Sequence, residues 1–210
     1  MCGILGGYIN SSYQESEHKI KQGLFELRHR GPNDSGYEMY PLEQGQCFLG
    51  HTRLSIIDLS TNGHQPMVSH DRRYKIVFNG EIYNYKELRQ ELINLGFIFK
   101  TQTDTEVLLT MWQHLGEKCL VKLKGMFAFA VFDSQDNTLT CVRDAFGIKP
   151  FFYTFESGSF LFASEIRGLR ALKTQALTLN IQRAYDYLVN GVYDSNDQTF
   201  YQGIHHLLPA

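Results

Sequence analysis

Met126-Phe127-Ala128-Phe129-Ala130-Val131-Phe132, then Asp133-Ser134-Gln135-Asp136-Asn137, then Thr138-Leu139-Thr140-Cys141-Val142-Arg143 reads as strand, turn and strand. A connection this short can join only antiparallel neighbours, because a parallel pair needs a crossover of a dozen or more residues. The same grammar repeats over residues 150–155, a turn at 156–159 and residues 160–163. Further upstream, residues 4–9 predict a glycine-containing strand and 47–49 another. Residues 74–78 alternate through Tyr74, Ile76 and Phe78 as a third, which Asn79-Gly80, a strong hairpin-turn signal, is expected to end. Residues 17–27 predict a helix with Ile20, Leu24 and Leu27 at helical spacing, and the polar run 29–36 (HRGPNDSG) breaks that pattern. Asn84 with Glu87 marks a second helix, striped by Tyr85, Leu88, Leu92 and Leu95 and closed by Gly96; residues 97–100 predict a short strand after it. Thr103 with Glu106 caps a third, whose buried face carries Val107, Leu108, Met111 and Leu115 and which Gly116 ends. Ser164 is placed to cap a brief helix, and Asn180 a last one bearing Ile181, Ala184, Tyr185 and Leu188. Short strands, two central helices and no βαβ rhythm predict an α+β architecture with antiparallel sheets.

Composition narrows the function class. The 210 residues carry 20 Lys plus Arg against 22 Asp plus Glu, a formal charge of −2, with 43% hydrophobic residues, enough to bury a core without disulfide or metal staples. No basic cluster supplies the field that nucleic acid needs. No apolar run approaches the roughly 18 residues of a membrane span, and Met1 leads directly into Cys2-Gly3-Ile4-Leu5 with no signal-peptide character, so a cytoplasmic protein is expected. Cys2, Cys47, Cys119 and Cys141 lie far apart without CxxC or zinc-finger spacing; the last three fall inside strand-like or helix-like runs, where cysteine acts as a small hydrophobe. His29, His51, His64 and His70 are scattered without metal spacing, so they read as structural or exposed and no metal site is expected. The clustered phenylalanines from Phe127 to Phe162 read as packing rather than a base-stacking platform. No linker is visible before about Leu172, and the terminal HHLLPA (205–210) stops without helix-ending or polar-tail character, which suggests a piece of a longer protein.

Cys2 differs from the other cysteines by position. Small penultimate residues permit removal of Met1, which would leave Cys2 with a thiol and a free α-amine. That amine, with an ordinary pKa of about 7.7–8.0, is neutral in a useful fraction near pH 7 and can take the proton of its own thiol. A cysteine in second place can equally be an accident of composition, and Asn79-Gly80 taken alone is a plain turn.

The ordered strings around it decide between these readings. Cys2-Gly3-Ile4 is followed by HRGPNDSG (29–36), GHTRLSI (50–56), GHQPM (63–67), FNGEIYN (78–84), TDTE (103–106) and RDAFGIKP (143–150). Together they resemble the class II, N-terminal nucleophile glutamine amidotransferase domain of asparagine synthetases, over essentially the whole chain. The resemblance implies a four-layer αββα sandwich with two stacked antiparallel sheets. It also implies hydrolysis of the side-chain amide of L-glutamine to glutamate and ammonia.

In that scheme Cys2 is nucleophile and base, and the Asn79 side chain and Gly80 backbone N–H face the oxyanion, which needs donors aimed at it. Arg53 matches the α-carboxylate of free glutamine, and Glu81 and Asp104 its α-ammonium. By the same resemblance, backbone groups of Leu54, Ser55, Ile56 and Ile57 line the substrate, and the 28–30 loop shapes the wall beside the nucleophile. Arg53 as a surface salt-bridging residue and Asp104 as a first-turn helix carboxylate are the plainer alternatives.

The expected domain organisation is a glutaminase core over residues 2–172 and an extension over 173–210. The extension leads toward an absent ATP-dependent synthetase domain, in cis or as a separate subunit, and a homodimer is a further expectation. No cofactor is expected here; ATP and magnesium are implied only for the absent part, because no GxxxxGK[ST] or SGGxDS string occurs. An acceptor other than aspartate, such as a sugar or peptide carboxylate, and a catalytically silent binding domain of the same fold remain alternatives. A papain-like hydrolase fits poorly, since it would need a histidine base and a cysteine deeper in the chain.

Overall fold

Strands that are apolar on both faces need cover on both sides, and the chain provides it by stacking one sheet on another with helices outside. The computed structural model describes residues 1–13, 16–192 and 196–209. In chain order the elements are β1 (Gly3–Ile9), α1 (Ser16–Leu27), β2 (Asp34–Leu42), β3 (Gly45–Arg53), β4 (Met67–Val68) and β5 (Tyr74–Ile82). There follow α2 (Tyr85–Asn94), α3 (Asp104–Leu115), β6 (Gly125–Asp133), β7 (Thr138–Arg143), β8 (Phe152–Glu156), β9 (Ser159–Ala163), α4 (Ile166–Leu172), α5 (Ile181–Asn190) and β10 (Ile204–His206). One sheet runs β10-β8-β9-β1-β3-β2 and the other β4-β5-β6-β7, and every strand pair in both is antiparallel.

Period-two alternation assigns each side chain to a layer. In β6, Phe127, Phe129 and Val131 join Leu88, Leu108 and Trp112 beneath α2 and α3, whereas Ala128, Ala130 and Phe132 face Ile4, Leu49 and Phe162 between the sheets. Leu5, Ile9 and Phe48 turn the other way, toward Leu24, Leu27 and Leu169 of α1 and α4. The result is the four-layer helix–sheet–sheet–helix sandwich. Beyond Leu172 the chain returns to the first sheet: β10 pairs with β8, and Ile204 is 1% exposed beneath α1 and α4. Ala210 of the terminal HHLLPA lies outside the described residues.

Several local expectations give way to tertiary structure. Asn79-Gly80 makes no turn. β5 runs through it to Ile82, with Asn79 opposite Ala128 and Gly80 opposite Phe127, because β6 offers a ladder partner along the whole length and pairing overrides local turn preference. The left-handed turn residues lie elsewhere, at Asn137 and at Ser157-Gly158. β2 forms although its alternation is blurred, its side chains being half-buried or exposed at the sheet edge. Residues 97–100 form no strand; the backbone N–H groups of Lys100 and Thr101 donate to the Glu106 carboxylate instead. Thr103 Oγ1 does accept from Glu106 N at 3.1 Å, so only half of the capping box closes.

Asn84 precedes α2 without a side-chain cap, since its amide is drawn across to Lys122 O and Lys124 N. Ser164 caps nothing: its hydroxyl accepts from Ile4 N at 2.9 Å. Asn180 does cap α5, yet Ile181, Tyr185 and Leu188 on that helix are exposed.

Phe162 keys the two sheets together. Its ring stacks on Phe151 at 4.9 Å, and a Cβ at Gly6 would meet it at 2.6 Å. Phe162→Ala is expected to lower the free energy of unfolding by about 3–5 kcal/mol, read as a lower urea midpoint at unchanged slope.

Candidate active site

The alternation that builds the inter-sheet layer also builds the site. On β1 the parity of Ile4 brings Cys2 to that side. On β3 the parity of Cys47 and Leu49 brings His51 and Arg53, and on β5 that of Val77 brings Asn79 and Glu81. Where the strands reach the end of the sandwich, a cleft of about 180 Å³ opens between the sheets, and Cys2, Arg53, Leu54, Ser55, Ile56, Ile57, Asn79, Gly80, Glu81 and Asp104 all line it. All ten residues singled out in the sequence thus meet at one place.

Cys2 is held from several sides. Ser164 N donates to Ile4 O at 2.8 Å, and with the return bond to the Ser164 hydroxyl this fixes the start of β1. Arg30 Nε donates to Cys2 O at 2.8 Å while its Nη1 pairs with Glu165 at 2.8 Å. Leu54 N reaches Cys2 Sγ at 3.4 Å. The glycine after Arg30 is required here: a Cβ on Gly31 would stand 2.3 Å from the Thr52 carbonyl. Burial pushes the Cys2 thiol up, opposed by Leu54 N–H and by Arg53. The terminal amine, here on Met1, is held below its ordinary value by burial and by the cations Arg30 and Lys149.

Arg53 is 6% exposed, and its guanidinium donates to the Ser60 carbonyl at 2.6 Å and to the Asp58 carbonyl. It packs on Gly63, where a Cβ would lie 2.1 Å from Nη2. Among the described residues no carboxylate stands within ion-pair distance of it, so its charge orders the loop and is left available to an anion.

Asn79 is 1% exposed, and neither its Oδ1 nor its Nδ2 has a partner. Buried amides are rarely left so, which marks a group arranged for something the folded chain does not supply. Asp104 opens α3, its Oδ2 accepting from Ile82 N at 3.0 Å. Burial outweighs its backbone hydrogen bonds and, with Glu81 nearby, raises its carboxyl to about 6.

The histidines stand apart from this chemistry. His51 is buried neutral, its pKa driven down by burial to about 3, with Nε2 at 3.2 Å from Phe78 O. His29 pairs with Glu165 and His64 with Asp34. No cluster of His, Cys, Asp or Glu among the described residues could hold a metal, and no helix among them is long and apolar enough to cross a membrane.

Sequence reading passed over Gln65 and Lys149, which also line the cleft. Gln65 Oε1 accepts from Phe78 N at 2.7 Å and its Nε2 donates to Thr105 Oγ1 at 3.3 Å, bracing the neighbours of Asn79 and Asp104 together. Lys149 sits on a loop wound around Asp144, whose carboxylate accepts from the N–H groups of Phe127, Phe146, Ile148 and Lys149. Both lie in strings, GHQPM and RDAFGIKP, that served only as family marks; a glutamine beside a proline and a lysine beside another carry no signal of their own.

A two-sheet antiparallel sandwich with Cys2 in a cleft at its end is the arrangement found, and the family model described as a glutamine amidotransferase domain matches residues 1–210. The chain belongs to that family. It is 44% identical over 172 residues to asparagine synthetase [glutamine-hydrolyzing] 1 of Bacillus subtilis, covering 80% of this chain and 26% of that protein. It is 40% identical over 187 residues to putative asparagine synthetase [glutamine-hydrolyzing] 2 of Methanocaldococcus jannaschii, covering 82% of this chain and 36% of that protein. The chain thus spans about a quarter to a third of the length of these relatives. The fold is shared with glutamine phosphoribosylpyrophosphate amidotransferase from B. subtilis, at a TM-score of 0.68 and 23% identity over 81% of this chain and 43% of that one.

Asp104 should report its burial through pH. An acid whose pKa is higher folded than unfolded contributes stability at low pH that is lost as pH rises toward its folded value, here from about 4 to about 6. The wild-type-minus-Asp104→Asn difference in unfolding free energy is expected to fall by on the order of 2–3 kcal/mol between pH 4 and pH 7, measured by urea denaturation at both.

Proposed function

We propose that the domain hydrolyses the side-chain amide of free L-glutamine, with Cys2 as nucleophile once Met1 is removed. The observation that carries this reading is the buried, unpartnered amide of Asn79 in the cleft that also holds the Cys2 thiol. Thiolate attack forms the Sγ–C bond and moves the carbonyl electrons onto oxygen, where the Asn79 amide and the Gly80 N–H offer hydrogen bonds. Collapse breaks the C–N bond, and ammonia leaves with the proton that the α-amine took from the thiol. Water then attacks the thioester and releases glutamate. Arg53 takes the α-carboxylate and Asp104 with Glu81 the α-ammonium, while the backbone from Leu54 to Ile57 walls the substrate. Thiol, amine and amide donors suffice for these steps, so the domain uses no cofactor of its own.

The glutaminase core spans residues 2–172, and the extension 173–210, packed back through β10, leads toward a synthetase part in cis or as a separate subunit. Ammonia passes to that part, where ATP and magnesium belong and aspartate becomes asparagine. The names and lengths of the relatives support this half of the proposal.

Intact mass is expected to show loss of one methionine, and Cys2→Ala to abolish glutamate formation from glutamine; activity retained by that variant would remove Cys2 from its role. Asn79→Ala should lower kcat by about 10²–10³-fold. Because the lost amide had no partner, the same substitution should leave the urea midpoint unlowered. An unchanged kcat would exclude Asn79 as an oxyanion donor.

A further inference from the structure

Lys149 is 6% exposed and lines the cleft, yet among the described residues its ammonium has no ion-pair partner and no hydrogen-bond acceptor. Its backbone is clamped. Lys149 N donates to Asp144 Oδ2 at 3.0 Å, Lys149 O accepts from Arg143 Nε at 2.7 Å, and Gly147 makes the left-handed bend before it at φ +61°. The side chain is thus buried along its length and presents its charge to the cleft rather than to a protein counter-ion.

The other charged groups around Cys2 are already occupied or assigned. Arg30, from the loop after α1, is bound to the Cys2 carbonyl and paired with Glu165, at the start of α4, though its charge still reaches the terminal amine. Arg53 on β3 is chelated by carbonyls, and Glu81 on β5 and Asp104 on α3 are the acidic groups of the cleft. In the proposed reaction the carboxylate and ammonium of glutamine are therefore both met without Lys149. Of the acidic groups that its charge reaches, Asp144 is taken up by four backbone N–H groups and Glu81 is assigned to the substrate ammonium, which leaves Cys2.

We propose that Lys149 is a positioning residue for the N-terminal nucleophile: its unpaired ammonium in the cleft opposes a second positive charge beside Cys2 and so keeps the freed α-amine neutral and proton-accepting. The proposal rests on the reading of Cys2 given above. It accords with the depression of the amine on Met1, one residue away, to which Lys149 contributes after burial and Arg30.

The test uses protein with Met1 removed, verified by mass, and compares wild type, Lys149→Met, Lys149→Gln and Lys149→Arg. Both kcat/KM for glutamine hydrolysis and the rate of Cys2 alkylation by iodoacetamide, without glutamine, are followed from pH 5.5 to 9.5. Removing a cation lets the α-amine hold its proton to higher pH. The acid limb of the two neutral variants should therefore move to higher pH, and their kcat/KM at pH 6 relative to pH 9 should fall roughly 3- to 10-fold. The pH dependence of alkylation should shift with it, and Lys149→Arg should retain the wild-type profile. A profile superimposable on wild type in a folded neutral variant, or a raised KM with no shift, would overturn the proposal. Should Cys2→Ala still release ammonia, the nucleophile reading itself fails; should that variant be inert while the Lys149 profiles superimpose, only the present inference falls.

Discussion

Face parity along the strands is the constraint on which everything else depends. With two sheets stacked face to face, each strand must turn alternate residues into the shared layer, and a one-residue slip in any of them would swap its core for its outer face. Ile4, Cys47 with Leu49, Val77, and Ala128 with Ala130 satisfy that demand from β1, β3, β5 and β6. Continuing the same parity to the strand ends delivers Cys2, Arg53, Asn79 and Glu81 to one opening without further instruction. The hydrophobic pattern that stabilises the sandwich is thus also what registers the chemistry, and the glycines at the closest approaches, Gly6 against the Phe162 ring and Gly31 against the Thr52 carbonyl, let the pieces come near enough.

At that opening the rules that govern the rest of the molecule are broken together. The amide of Asn79 lacks partners, Asp104 is buried where a carboxylate resists ionising, and Arg53 and Lys149 carry charge without a counter-ion among the described residues. Away from the cleft the same groups are satisfied: Asp133 is gripped by Arg73, and Glu156, 7% exposed, is bound by Lys173 and the 174–175 backbone. Among the described residues one further buried polar atom lacks a partner, Nη1 of Arg89 on α2, whose guanidinium lies over the Phe99 ring; only the cleft gathers several unmet groups in one place, as a ligand site does.

Legibility in the sequence followed range. The 126–143 hairpin, the stripes of α1 and α3, and the caps at Thr103 and Asn180 are set by near neighbours and could be read directly. Asn79-Gly80 could not, because its local preference for a turn loses to a ladder with β6, some 48 positions away in the register Asn79 with Ala128 and Gly80 with Phe127. Ser164 and Asn84 likewise spend their side chains on Ile4, Lys122 and Lys124 instead of on the helices they precede. The ten residues named for the site came from ordered strings rather than from physics alone. Gln65 and Lys149 escaped because their significance is wholly three-dimensional.

The proposed N-terminal nucleophile would face an acid–base problem to which this arrangement is suited. The amine must be neutral to accept a proton and the thiol must ionise to attack. Burial favours the neutral form of both, which helps the amine and hinders the thiol, and the two directions seen at Met1 and Cys2 are those. A nearby carboxylate would protonate the amine and suppress the thiolate, harming both. A nearby cation assists both at once. Arg30, fixed at 2.8 Å from the Cys2 carbonyl, and Lys149 are cations, while Asp104, which raises the thiol further, opens α3 and is bonded to Ile82. For the proposed chemistry the two cations therefore offset, at the nucleophile, the carboxylates of Glu81 and Asp104 that share the cleft and are assigned to the substrate ammonium.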